Sequence, residues 1–442
     1  MPGTASFQFR ILYLRAFNQT ILSTQITADL NDQATVDFRS NSADRVLLFI
    51  LVFSIYFESN LPLIYGASTP FILFGITLFY LSITRFKTLV KLFTGKYFLY
   101  SMSFALLCVF METLHPFPSY DFISRYVNMI LGVFCIVALC RDKIALDIAL
   151  FTFILASAAQ SFLIITGTAP LMQNINAVGF SEASQARLMA FEEFYLRGNL
   201  NDISYFSSIG SIIGIIWAYY ERVKWKKILL ISLTFPSILG VFLPASRTGA
   251  VIFFASFLLF IIKSKIKFRK WVLAIPALLI LLAVTVPEMV WVRLGSLTRI
   301  TELQEEDSRT KVYIAVLNNI NHYFLTGVGS GNYWHGWAVN AGITNRFTTD
   351  VAMAAHNAFF QVWIYWGLPA LLAFLYLMYT YGNALEKDVA GDRRRTCIYI
   401  FIMIIPMIFL FYHSFYHKSF SIGLGLLLSA RFWNLLKVKQ AA

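Results

Sequence analysis

"ERVKWKKILLISLTFPSILGVFLPASRTGAVIFFASFLLFIIKSKIKFRK", residues 221–270, carries the pattern that organises the whole chain. Two apolar runs, 228–243 and 249–262, are joined by the short polar stretch "PASRTG". Outside them stand two basic clusters, Arg222, Lys224, Lys226 and Lys227 on one flank and Lys263, Lys265, Lys267, Arg269 and Lys270 on the other. Apolar runs of this kind read as membrane spans. Lys and Arg accumulate in loops that stay on the cytoplasmic side. The hairpin therefore leaves the cytoplasm and returns to it. Its turn places Arg247, a fixed positive charge, on the outer side, where such charge is otherwise sparse.

Working outward, similar runs occur at 46–64, 67–84, 97–113, 123–140, 144–166, 202–220, 271–291, 357–381, 397–412 and 419–436, about twelve spans in all. Glu58 interrupts the first, and the run at 202–220 begins with polar residues. With the N-terminus cytoplasmic, 26 of the 36 Lys and Arg fall on inside segments and ten on outside ones. That bias agrees with the positive-inside rule over every alternating loop. The net charge of +13 is therefore accounted for by topology, and nucleic acid is not needed to explain it. The composition agrees: 58% of 442 residues are hydrophobic and only 13% charged, against about a quarter charged in soluble domains.

The expected fold class is thus an all-α polytopic membrane protein with about 12 transmembrane helices and a large outer loop between the ninth and tenth spans. Residues 1–45 read as a cytoplasmic N-terminal segment and 46–442 as one transmembrane domain. The first span is expected to serve as insertion signal, since no cleavable leader is visible in residues 1–44. Cys108, Cys135, Cys140 and Cys397 lie in or beside apolar runs, so neither a disulfide framework nor a cysteine metal site is expected.

Two outer loops are long, 167–201 and 292–356, and long loops in compact proteins are often functional. In the second, Asp307 or Ser308 is placed to cap a helix. Val312, Ala315, Val316 and Ile320 then recur at helical spacing. Eight of the ten outer cations are Arg, against 12 of the 26 inner ones. Arg presents a planar fork that grips phosphate in bidentate fashion and stays charged when buried. An arginine-biased outer face suits a phosphate-bearing ligand. A lone Arg at a helix end is also compatible with snorkelling to lipid headgroups.

The order of outer motifs is "RGNLND" (197–202), "PASRTGAV" (244–251), "SRTKVYIAVLNNI" (308–320) with "LTGVGSGNY" (325–333), and "AHNAFFQVWIYWGLPALLAFL" (355–375). This order resembles the bacterial O-antigen ligase and O-antigen polymerase superfamily over roughly residues 195–380. Leu200 stands where the family more often has Pro. The resemblance implies a GT-C-like, membrane-embedded fold whose outer loops are periplasmic, at the bacterial inner membrane with both termini cytoplasmic. It implies an inverting glycosyltransferase that takes an undecaprenyl-pyrophosphate-linked glycan as donor. The acceptor hydroxyl belongs to the lipid A core in a ligase, or to a second lipid-linked repeat unit in a polymerase. The ligase is the reading adopted here. No cofactor is implied.

On this reading Arg197, Arg247 and Arg309 meet the charge that develops on the leaving pyrophosphate. His356 takes the proton of the acceptor hydroxyl, and the start of the following span opposes its protonation. Taken alone, His356 is also compatible with a capping or interfacial role. Ser246, Thr248, Asn201, Asn357 and Arg125 are the expected substrate-binding residues. The acidic stretches "EEDS" (305–308) and "FEEF" (191–194) read as solvated loop charge, so arginines rather than a metal are expected to do the work. His413 and His417, four residues apart, read as part of an interfacial aromatic belt. A transporter of an anion or of a lipid-linked glycan is the alternative from another class. It predicts sequence repeats and charges at the membrane midplane. No repeat is found, and the strongest mid-span charge, Asp147, is near a cytoplasmic end.

Overall fold

The computed structural model describes residues 39–58, 61, 63–64, 67–167, 200–264, 282, 284–295, 308–344, 351–386 and 389–436. Most of the expected span at 271–291, most of the loop 167–201, and residues 296–307 and 345–350 of the second loop lie outside them. So does Arg197. The chain divides into Met1–Arg39 and Ser40–Ala442, and the second unit is described below.

It is built of helices: α1 (Ser42–Tyr56), α2 (Thr69–Thr84), α3 (Phe86–Phe93), α4 (Lys96–Thr113), α5 (Asp121–Leu139), α6 (Lys143–Gly167), α7 (Leu200–Tyr220), α8 (Lys224–Phe242), α9 (Arg247–Lys263), α10 (Glu288–Gly295), α11 (Ser308–Asn318), α12 (Ala358–Gly382), α13 (Arg393–Phe409) and α14 (Ser419–Phe432), with short turns of helix between α11 and α12. A two-residue antiparallel ladder, Leu63–Ile64 with Ala67–Ser68, closes the turn from α1 to α2. Among the described residues α5, α6, α7, α8 and α12 are long and apolar enough to cross a membrane. A sixth such element arises if α2 and α3, bent by 116°, count as one. Large apolar side chains such as Phe79, Ile83, Leu106, Phe110 and Leu258 face outward, as expected where the solvent is lipid. The molecule is a helical membrane protein.

The contacts made at helix ends sort into two sets. At one end the cations are matched with acids. Asn41 and Asp44 form a capping box at the start of α1, and Asp44 also holds Arg85 at 2.6 Å and Arg141 at 3.7 Å. Asp142 takes Arg45 at 2.9 Å. Asp147 takes Arg394 through two nitrogens, both at 2.7 Å, and Arg393 at 2.9 Å. These contacts tie α1, α2, α5, α6 and α13 together at what is here called the basic end. The opposite end is the mouth.

A seam of small residues lets four helices approach the site closely. A Cβ on Gly210 would overlap the Ser157 side chain, one on Gly214 Thr234, one on Gly240 Ser161, and one on Gly249 Ser204. The pairs join α7 to α6, α7 to α8, α8 to α6, and α9 to α7. Close backbone approach through small residues is the usual basis of helix packing in lipid. Hydroxyls in the seam bond across it: Ser204 Oγ donates to the Val241 carbonyl at 2.6 Å and Ser208 Oγ to that of Gly249 at 3.0 Å.

The Gly-rich turn after α11 has a structural partner. Within α12, Gly367 adopts φ +75° and Pro369 lacks an N–H, so the helix breaks there. The carbonyls of Ile364 and Tyr365 lose their helical donors. The N–H groups of Val328 and Gly329 take them at 2.8 and 2.9 Å, and Leu368 N–H donates back to Phe324 at 2.9 Å. Gly327 and Gly329, both near φ +75 to +79°, shape the turn that makes this possible. Glu112, fully buried at the end of α4, completes the lock. Its carboxylate accepts from the N–H groups of Ser119 (2.9 Å), Ser330 (2.8 Å) and Gly331 (3.0 Å) and from Trp366 Nε1 (2.7 Å). The loop's path is thereby tied to α4 and α12 on the mouth side.

Candidate active site

Five chain segments meet at the mouth. Ser246 caps α9, its side chain accepting from Gly249 N–H at 3.2 Å. Arg247 is therefore the first helical residue, and Thr248 the second. Helix N-termini favour anions through their free N–H groups and dipole. Arg309, in the first turn of α11, donates from Nη1 to Thr248 Oγ1 at 3.1 Å. The same guanidinium bears electrostatically on His356. Asn357 caps α12, its Oδ1 accepting from Phe359 and Phe360 N–H at 2.9 and 3.1 Å, so His356 stands just ahead of that helix.

The His356 ring meets His413 edge-to-face, with centroids 5.7 Å apart. His413 sits in the loop between α13 and α14, beside Tyr412. The Tyr412 hydroxyl donates to Asp202 Oδ2, in the first turn of α7, at 2.8 Å. His417 Nε2 approaches the same carboxylate at 3.7 Å. Tyr205, one turn further along α7, packs against the Tyr412 ring at 5.6 Å and lies between Asp202, Thr248 and Arg309. The polar groups thus form a ring: Thr248, Arg309, His356, His413, Tyr412, Asp202 and Tyr205, closing on Thr248. Beside it, Lys418 pairs with Glu58 and with Ser68 Oγ, the latter at 2.6 Å.

Among the described residues, two of the three non-glycine residues with positive φ belong here: Ala245, beside the ring, and His356, in it, each at +51°. Such backbone costs about 1–3 kcal/mol per residue and tends to persist at functional sites.

The imidazoles are held neutral. His356 is lowered to about 3, first by burial, then by Arg309 and His413. Burial lowers His413 to about 4. His417 also falls to about 4, through burial with Lys418 adding to it and Glu58 opposing. The Tyr412 phenol is pushed up by burial and by the neighbouring Asp202 carboxylate, so it stays a donor. A neutral imidazole beside a guanidinium at a helix N-terminus is suited to accepting a proton next to an anion.

The structure brings Ser246, Arg247, Thr248, Arg309, His356 and Asn357 to one end of the bundle. Asn201 is on the first turn of α7, next to Asp202. Arg125 lies over the rings of Phe122 and Tyr416, 5.9 Å from each, at the rim. Sequence reading gave no role to Asp202, Tyr205 or Tyr412, and left His413 and His417 in an aromatic belt. One signal was present: an Asp and a Tyr in the first turns of an otherwise apolar helix, directly after "RGNL". Among the described residues no group of three His, Cys, Asp or Glu is arranged to hold a metal ion. Three cavities, of about 270–530 Å³, lie at the basic end. They are lined by Arg393, Arg395 or Lys96 with apolar neighbours, and none includes a residue of the ring.

Fold and site together define a helical membrane protein with a cationic, imidazole-bearing mouth. Residues 229–375 match the family model described as O-antigen ligase. The match covers about a third of the chain and supports a place in the O-antigen ligase and polymerase superfamily. It contains Arg247, Arg309 and His356, and stops short of His413. A search of the curated proteins finds no match to the chain.

Proposed function

We propose that the chain is a metal-independent, inverting glycosyltransferase of about twelve spans in the bacterial inner membrane. It moves an undecaprenyl-pyrophosphate-linked glycan onto an acceptor sugar hydroxyl at the periplasmic face, with both termini cytoplasmic. The supporting observation is the convergence of Arg309, Thr248 and His356 from segments far apart in sequence. Arg247 and Arg309, with Arg197 expected beside them, meet the leaving pyrophosphate. Ser246, Thr248, Asn201, Asn357 and Arg125 line the approach. His356 removes the acceptor proton as its oxygen attacks the anomeric carbon and the pyrophosphate departs with the bonding electrons.

A base lowered to about 3 is neutral but weak, and general bases work best near the operating pH. Part of that lowering comes from Arg309. A bound pyrophosphate offsets the guanidinium charge, so donor binding raises the basicity of His356 as it fills the site. The acceptor then meets a competent base only when the donor is in place.

A transporter fits less well. Asp147, the strongest mid-span charge, is closed off by Arg393 and Arg394. The test is reconstitution in liposomes with a polyprenyl-pyrophosphate oligosaccharide, offering either lipid A core or a second lipid-linked repeat unit. Transfer to the core is expected for the ligase type adopted here, and elongation of the repeat unit would make it a polymerase. Full activity in both Arg247→Ala and His356→Ala would sink the mechanism.

A further inference from the structure

The ring has a feature the proposed mechanism does not use. Among the described residues Asp202 Oδ1, Tyr205 Oη and His413 Nδ1 are shielded from solvent and make no hydrogen bond of good geometry. All three surround one side chain, Tyr412, which bonds to Asp202 and packs on Tyr205 and His413. Buried polar atoms are nearly always satisfied, so three unsatisfied ones around a single side chain mark a place completed by a ligand. The Asp202 and His417 side chains keep 17% and 23% of their surface, so the edge of this cluster meets solvent.

The chemistry of the place selects the ligand. A carboxylate repels phosphate, and a neutral imidazole does not attract it. A carboxylate oxygen, a phenol and an imidazole nitrogen do match hydroxyl groups, which both donate and accept. Aromatic rings pack around these groups, Tyr412 against His413 and His417, and Phe206 against His417. Arg309 and His413 both bear on His356, the first electrostatically and the second by its ring. An inverting displacement needs leaving group and nucleophile on opposite sides of the anomeric carbon.

We infer that Asp202, Tyr205 and His413 form the subsite for the hydroxyls of the acceptor sugar, with Tyr412 holding the three in place. The inference rests on the glycosyltransferase reading above. Asp202 takes hydroxyls that do not react, and the reacting one is left to His356.

Two near-isosteric variants test it in the full-length protein. Asp202→Asn keeps an oxygen for the Tyr412 hydroxyl and removes the charge. His413→Phe keeps the ring edge against His356 and removes Nδ1. Steady-state transfer is measured with a polyprenyl-pyrophosphate oligosaccharide as donor and, in separate arms, lipid A core and a lipid-linked repeat unit as acceptor. Each variant is expected to raise the KM of the acceptor used by about ten-fold, the scale of one lost hydrogen bond to a charged or buried group. Donor KM should change less than two-fold. An unchanged acceptor KM in both variants overturns the inference, and so does a rise confined to donor KM, which would assign the subsite to the donor glycan. If one variant fails to fold, the other decides. Arg309→Ala and His356→Ala run alongside. If the parent protein transfers glycan while acceptor KM is unmoved in Asp202→Asn and His413→Phe, only the subsite falls; if the parent transfers glycan to neither acceptor, the glycosyltransferase reading itself falls.

Discussion

The two ends of the helical bundle use the same residue types to opposite effect. At the basic end Asp44, Asp142 and Asp147 each meet at least one guanidinium at 2.6 to 2.9 Å. Charges there are neutralised within the protein, and helix ends are locked together. At the mouth Asp202 meets a phenol and an imidazole, and Ala245 and His356 carry strained backbone. An ion pair closed on itself has little left to offer a ligand. A polar group held beside a weaker partner keeps its capacity to bind. Charge alone therefore does not mark a site in this protein; the way the charge is matched does.

The largest expected effect separates the ends by activity. Removing His356 should cost about 10²–10⁴ in kcat, the usual range for a general base. Arg309→Lys should also slow turnover while expression stays normal, since the fork geometry is lost and the charge kept. Equal activity of Lys and Arg at 309 would mean that charge suffices.

The basic end should respond in stability rather than chemistry. Asp44→Ala leaves Arg85 and Arg141 without their common acid, and breaking such a buried pair costs about 3–5 kcal/mol. Thermal unfolding in detergent should drop sharply, while turnover per folded molecule stays at the parent value. A selective loss of kcat in well-folded Asp44→Ala would erase the contrast between the ends.

Glu112→Gln is predicted to be intermediate. It keeps the shape but loses charge-assisted bonds to three backbone N–H groups and Trp366, costing about 1.5–3 kcal/mol. Because the loop it anchors leads from Arg309 toward His356, kcat should fall modestly as well, by a factor below that of His356→Ala.

The smallest effect is on pH. His356, His413 and His417 are all lowered in the folded state, so below the unfolded value of about 6.5 the unfolded chain binds more protons than the folded one. Stability is then full above that value and falls as the pH drops toward 4. His413→Phe should flatten this slope by one proton's share, measured by denaturation at pH 4 to 7. In the same range kcat/KM of free enzyme should show no acid limb near 6, whereas kcat with donor saturating should show one at higher pH than the free imidazole.

The helical architecture was legible because lipid is a demanding solvent. Every backbone N–H and C=O must be satisfied within the segment, so an apolar run such as 144–166 has little choice but to be α6. Eleven of the twelve expected runs coincide with described helices. The basic residues at 222–227 and Lys263 announced which helix ends lie together, since charge placement is local, and the cluster at 265–270 lies outside the described residues. The bend of 116° between α2 and α3 was not legible, nor was the break at Gly367. Both were read as a loop or a continuous span. The seam of small residues was visible in Gly210 and Gly214, four apart, but its partners on α6 and α8 were not.

For the site, the sequence alone determined the stock of chemistry: arginines at the starts of helices, a histidine ahead of α12, and a motif order shared with a family. Those are properties of single segments. Only the tertiary structure decided which of them meet, that Thr248 receives Arg309, that His413 leaves the membrane belt to stand against His356, and that Asp202 and Tyr205 are left with atoms to spare. Such pairings depend on how closely helices pack and where two of them break, through contacts between residues tens to hundreds of positions apart. No stretch of chain read by itself contains them.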